Sequence, residues 1–173
     1  MAGAIATSRV AAAIDAAARL CLVAAILSLA LLSGLIVLQV GARNFFDMGM
    51  PWADELARYC GVALVYLCVP ILAMRGQHVA VDMVPALLPP RVRRVALIGG
   101  ELCTLAFAAL VLWGLQSFLV RAGKFTTPAL GIPNWVFYAP AAIGILLLLL
   151  VTIGRIAILV HGGTPARPQD GPP

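Results

Sequence analysis

Residues 20–42 read LCLVAAILSLALLSGLIVLQVGA, an uninterrupted apolar run bounded by Arg19 and Arg43. About 20 such residues at 1.5 Å rise cross a hydrocarbon core of about 30 Å, so this run predicts a membrane-spanning helix. It follows an Arg-containing start, as a secretory signal does, but exceeds the usual apolar region of about 7–15 residues and reads as a retained anchor. The whole chain agrees: 11% of its 173 residues are charged, 62% are hydrophobic and the mean hydropathy is +1.02. A soluble domain carries about 25% charge.

Working outward, three more spans emerge. Tyr59–Met74 is apolar but only 16 residues long, about 24 Å, so the second helix must begin within the preceding PWADELAR. A third run lies between Arg94 and Arg121, interrupted by Glu101, and a fourth follows Pro133 through ILLLLLVTIG. The expected fold is an all-α membrane protein of four transmembrane helices over residues 18–42, 52–75, 92–120 and 134–159. A short interfacial segment is expected in the loop between helices 2 and 3, and a disordered cytoplasmic tail over 161–173. Pro70 and Pro140 fall inside spans, and Gly99, Cys103 and Ala106 form a small-residue face open to another helix.

Positive charge sets the orientation. Arg9, Arg19, Arg75, Arg91, Arg93, Arg94, Arg155 and Arg167 flank one side; Arg43, Arg58, Arg121 and Lys124 flank the other. The excess places both termini in the cytoplasm. The net charge of +5 therefore sits beside helix ends facing membrane lipids, and nucleic acid is not an expected partner. The two external loops share GMPW (49–52) and GIPNW (131–135): a turn glycine, a proline suited to the first helical turn, and a tryptophan at headgroup level. The internal loop, RGQHVAVDMVPALLPPRVRR (75–94), is too short to span; Asp82 is placed to cap a turn that Pro89-Pro90 ends.

The candidates for chemistry are few. Glu101 is ionisable within a span, which is costly and functional by default. It either couples to a proton or cation, or hydrogen-bonds a neighbouring helix. No second acid in its helix and no Asn/Asp/Ser cage accompanies it, which favours the structural role. The histidines, His78 and His161, fall outside the spans, against intramembrane haem. The four cysteines lack metal spacing and read as small apolar residues. No nucleophile elbow or phosphate loop is present; neither an enzyme nor a cofactor is expected. Trp52, Asp54, Glu55 and Arg58 gather at the entry to helix 2, where the acids suit the helix dipole and Asp54 and Arg58 are spaced to pair.

Four stretches together resemble one family. RNFFDMGMPWADELARY (43–59), MRGQHVAVDMV (74–84), LLPPRVRR (87–94) and TTPALGIPNWVFY (126–138) are similar, in order and spacing, to the small membrane subunit of tripartite ATP-independent periplasmic (TRAP) transporters. The likeness covers residues 20–157; Cys68-Val69-Pro70 departs from it where the family often carries glycine. It implies a non-catalytic subunit that supports a large transmembrane transport subunit, the carrier of the substrate and Na⁺ sites. A periplasmic solute-binding protein would deliver an organic acid to the pair. Under it, Trp52, Asp54, Glu55, Arg58, Arg75, His78, Asp82 and Glu101 are structural or partner-interface candidates, and Arg43, Asp47, Arg121 and Lys124 candidate contacts for the binding protein. Two alternatives stand beside it: a membrane anchor of a redox enzyme, and the small subunit of a tripartite tricarboxylate transporter.

Overall fold

A computed structural model describes residues 2–75 and 89–160. These form four helices: α1 (Ala2–Phe46), α2 (Pro51–Met74), α3 (Pro90–Ala122) and α4 (Asn134–Val160). Each is long and apolar enough to cross a membrane, which bears out the all-α, four-span architecture. The interfacial segment and the tail expected over 161–173 lie outside the described residues.

The first helix runs beyond the apolar stretch that announced it. It holds 45 residues, about 67 Å at helical rise and twice what the hydrocarbon needs. The extension has a local cause: AAAIDAAARL is rich in the strongest helix former, and Arg19 Nε donates to Asp15 one turn earlier at 2.8 Å. At the other end Arg43 sits in the last turn, beside the negative helix terminus. Asp47 then adopts φ +50°, and the Met48 N–H turns back to the Ala42 carbonyl at 3.3 Å. Aspartate tolerates this left-handed conformation better than most side chains.

Proline marks two helix starts, Pro51 as expected and Pro90 where the sequence suggests only the end of a preceding turn. Pro51 opens α2, and Pro90 opens α3 behind Pro89, whose carbonyl accepts the Arg93 N–H at 2.9 Å. A missing N–H costs nothing in a first turn.

The packing follows the order α1, α2, α4, α3. α2 lies between α1 and α4, and α4 between α2 and α3; α1 touches α4 lightly, and among the described residues α3 packs on α4 alone. Small residues make the approaches close. Ala25 packs with Ala63, and Leu35 with Ala53 and Ala57, along the α1–α2 seam. Between α2 and α4 the decisive residue is Gly144. A Cβ there would lie 2.1 Å from the Tyr66 carbonyl oxygen, so the two backbones meet directly. The small face Gly99-Cys103-Ala106 does not do this: Cys103 and Ala106 are exposed and Gly99 faces open space. Helix approach is instead set by glycine and alanine on α2 and α4. Pro70 and Pro140, both inside their helices, are buried.

Candidate functional site

Two polar constructions stand at opposite ends of this packing. At the end carrying residues 47–50 and 123–133, the adjacent acids of α2 part company. Asp54 turns outward and pairs with Arg58, both side chains exposed. Glu55 turns inward and is 7% exposed. Its Oε2 accepts the backbone N–H groups of Ala129 at 2.9 Å and Leu130 at 3.2 Å, some 75 residues away in sequence.

The receiving loop is built to present those N–H groups. Thr127 and Ile132 are joined through N–H to O at 2.9 Å, the Gly131 N–H returns to the Thr127 carbonyl at 3.0 Å, and the Thr127 Oγ1 accepts the Ile132 N–H at 3.1 Å. Gly131 closes the turn at φ +66°, a conformation cheap only for glycine. The result is a single helix-like turn whose free N–H groups point at a carboxylate, as capping residues do at helix N-termini. Sequence reasoning placed Glu55 near the dipole of its own helix. The structure shows it capping a different segment, and TTPALG, a Pro–Gly-bracketed turn with idle N–H groups, was the available signal.

At the opposite end Glu101 acquires a partner that the sequence did not name. Arg155 Nε of α4 donates to Glu101 Oε1 at 2.6 Å, with side chains 18% and 15% exposed, and Arg155 Nη1 donates to the Ala73 carbonyl of α2 at 2.5 Å. One guanidinium thus ties three helices. Ala73 of α2 and Ala108 of α3 share one buried cluster with Ile145, Leu148 and Val151 of α4. Arg94 performs a related task. Its Nε and Nη2 donate to the Leu159 carbonyl at 2.9 and 2.6 Å, and Nη2 to Val160 at 2.8 Å, satisfying carbonyls that the end of α4 leaves without helical partners.

The remaining candidates are dispersed. Arg43 and Asp47 end α1; Arg121, bonded to the Ser117 carbonyl at 3.3 Å, ends α3, with Lys124 in the turn beyond. All four lie at the Glu55 end but on the two outermost helices of the packing order. Arg75 closes α2. His78 and Asp82 fall outside the described residues. Among the described residues no three metal-capable side chains cluster; Cys21 and Cys60 are buried, Cys68 half-buried and Cys103 exposed, all as free thiols.

Beside Glu55 the first turns of α2 and α4 and the loop before α4 border an open cavity of about 590 Å³, lined by Trp52, Glu55, Arg58, Thr127, Phe137 and Tyr138 among others. Tyr59 and Phe137 meet edge to face at 5.3 Å, and Phe118 and Tyr138 at 4.8 Å, which fixes both aromatic rings of its α4 wall.

Comparison with known proteins assigns this architecture. A TRAP transporter small permease protein of Haemophilus influenzae is 27% identical over 118 residues, covering 68% of this chain and 72% of that one. The isethionate TRAP transporter permease protein DctMQ of Oleidesulfovibrio alaskensis is 29% identical over 109 residues, 62% of this chain but 16% of its own. The sialic acid TRAP transporter permease protein SiaT of H. influenzae is 27% identical over 120 residues, 66% of this chain and 19% of its own. In the last two, sequence like this chain is one part of a much longer permease. A family model described as tripartite ATP-independent periplasmic transporters, DctQ component, matches residues 32–162. This four-span, non-enzymatic membrane protein therefore belongs to the DctQ component family of tripartite ATP-independent periplasmic transporters.

Proposed function

We propose that the chain is the small permease subunit of a TRAP-type secondary transporter in a bacterial inner membrane, holding a large transport subunit that carries the substrate path. The observation that supports a scaffold most directly is the disposition of charge. Three buried or half-buried charged side chains are each bound to another helix or loop: Glu101 to Arg155, Arg155 also to Ala73, and Glu55 to residues 129 and 130. None is left to line a route across the bilayer, where a charge without a partner is expensive. Membership of the family sets aside both the redox-anchor and the tricarboxylate-transporter readings.

Two long relatives carry isethionate and sialic acid in their names, both organic acids, which supports that substrate class here. Na⁺ coupling and delivery by a periplasmic binding protein rest on the family resemblance. The arginine-rich flanks put both termini in the cytoplasm, so the Glu55 end faces the periplasm, and Arg43, Asp47, Arg121 and Lys124 are offered to the binding protein on two separate flanks. Spread contacts of this kind suit a broad docking surface better than a pocket.

Reconstitution tests the reading. Proteoliposomes containing the large subunit, binding protein and this chain should take up the acid; those lacking this chain should not, and this chain alone should move nothing. Uptake by this chain alone would overturn the scaffold role. Charge reversal at the four flank residues should weaken uptake by raising the binding-protein concentration needed, without altering copurification of the two membrane subunits.

A further inference from the structure

The cavity beside Glu55 contains an unmet chemical demand that the loop staple does not explain. Backbone N–H groups reach only Oε2; Oε1 is buried and, among the described residues, has no partner in good hydrogen-bond geometry, the Thr127 hydroxyl being the one side-chain donor beside the carboxylate. A carboxylate oxygen can only accept, and a buried acceptor left empty is costly. The occupant that answers this oxygen must bring a donor, and a cationic donor makes the stronger bond.

The walls narrow the class. Trp52, Phe137 and Tyr138 line the space, and aromatic surfaces favour a cation. Arg58 stands one helical turn from Glu55 on the same wall. Its paired carboxylate, Asp54, leaves guanidinium donors free for a second anion. A cationic donor and an anionic group about one helical turn apart describe a zwitterion.

Depth identifies its source. The α2 wall runs from Pro51 to Arg58, about 10 Å along the helix, starting at the first turn of an apolar span with Trp52 at its mouth. The interfacial layer on each side of a hydrocarbon core of about 30 Å is about 5–8 Å thick, and tryptophan concentrates there. The cavity lies where phospholipid headgroups lie.

We propose that this cavity seats the headgroup of a phospholipid bearing a primary ammonium, of the phosphatidylethanolamine class, its ammonium donating to Glu55 Oε1 between the aromatic rings and its phosphate facing Arg58. A choline headgroup has no N–H to give Oε1, and a glycerol headgroup brings only neutral hydroxyl donors, whose bond to a carboxylate is weaker than an ammonium's. The site goes beyond the transport role: it would make the Glu55 end of the protein sensitive to lipid composition.

Competitive lipid binding tests it. The purified chain, mixed with equimolar phosphatidylethanolamine, phosphatidylcholine and phosphatidylglycerol in detergent, is followed by native mass spectrometry. One phosphatidylethanolamine should be retained about tenfold over either other lipid, the order a charge-assisted hydrogen bond supplies. Glu55→Gln should erase that preference. Because Glu55 also staples the loop, Trp52→Leu, which leaves both loop hydrogen bonds in place, should lower retention several-fold with helicity unchanged. Equal retention of the three lipids by the native chain, or undiminished preference in Trp52→Leu, overturns the proposal. So does an absence of lipid preference combined with loss of protein-partner capture on Glu55→Gln, which would assign the cavity to a partner's basic side chain.

Discussion

The Glu101–Arg155 pair is where a single residue change has the largest consequence. Two charges are held between helices by one short contact and one backbone carbonyl. Removing one partner leaves the other unpaired away from water, so Glu101→Gln should lower unfolding stability by about 3 kcal/mol. Replacing both, as in Glu101→Leu with Arg155→Met, should restore most of that loss, since an apolar pair demands no desolvation. Denaturant titration in mixed micelles, run as a double-mutant cycle, measures the coupling; additive losses would show that the ion pair does not hold the helices. The same substitutions separate structure from coupling chemistry. If Glu101 is a staple, transport by the assembled complex should fall in proportion to complex recovered, with its cation dependence unaltered. Gly144 is the other residue of this kind. Gly144→Ala puts a methyl carbon where the Tyr66 carbonyl stands, and separating two packed helices should cost about 1–3 kcal/mol. Gly154→Ala, which faces open space on the same helix, should be neutral or slightly stabilising through helix propensity. Thermal melting of the two variants side by side checks this.

At the scale of elements, the loop over residues 123–133 is held by its own turn and by Glu55 together. Gly131 lies at φ +66°, so Gly131→Ala should strain the turn by about 1 kcal/mol and speed amide exchange at residues 129 and 130, whose N–H groups Glu55 accepts. Exchange there unchanged from the native chain would mean that the staple, not the turn, carries the protection. The C-terminus of α4 depends on Arg94 in the same manner. Arg94→Gln should fray residues 157–160 in hydrogen exchange while leaving the α2–α4 contact near Gly144 protected, because its three bonds reach only the last turn.

For the whole molecule, the expectation concerns orientation. The eight positive charges on one set of flanks against four on the other should bring a C-terminal reporter into the cytoplasm, and fusing opposite reporters at residues 48 and 163 should give complementary signals. The open packing order leaves α3 resting on α4 alone among the described residues, with Leu102, Phe107, Leu110 and Trp113 outward. In a membrane such a surface is covered by lipid or by another membrane subunit.

Apolar length is additive along a chain, so the four spans were legible in the sequence; so were Pro51 at a helix start, the Asp54–Arg58 pair and the family likeness carried by four spaced stretches. These depend on neighbours within a turn or so of helix, where residue spacing fixes geometry. Contacts between residues far apart in sequence came from helix packing: Glu55 with residues 129 and 130, Arg155 with Glu101 and Ala73, and Gly144 against Tyr66. The reason is physical. A helix of period 3.6 tells which residues share a face, but the rotation and depth at which two helices meet depend on every side chain between them. The sequence determined that Glu55 and Glu101 are acids at the edge of or within an apolar layer and must find donors; which donors they found was settled when the helices packed.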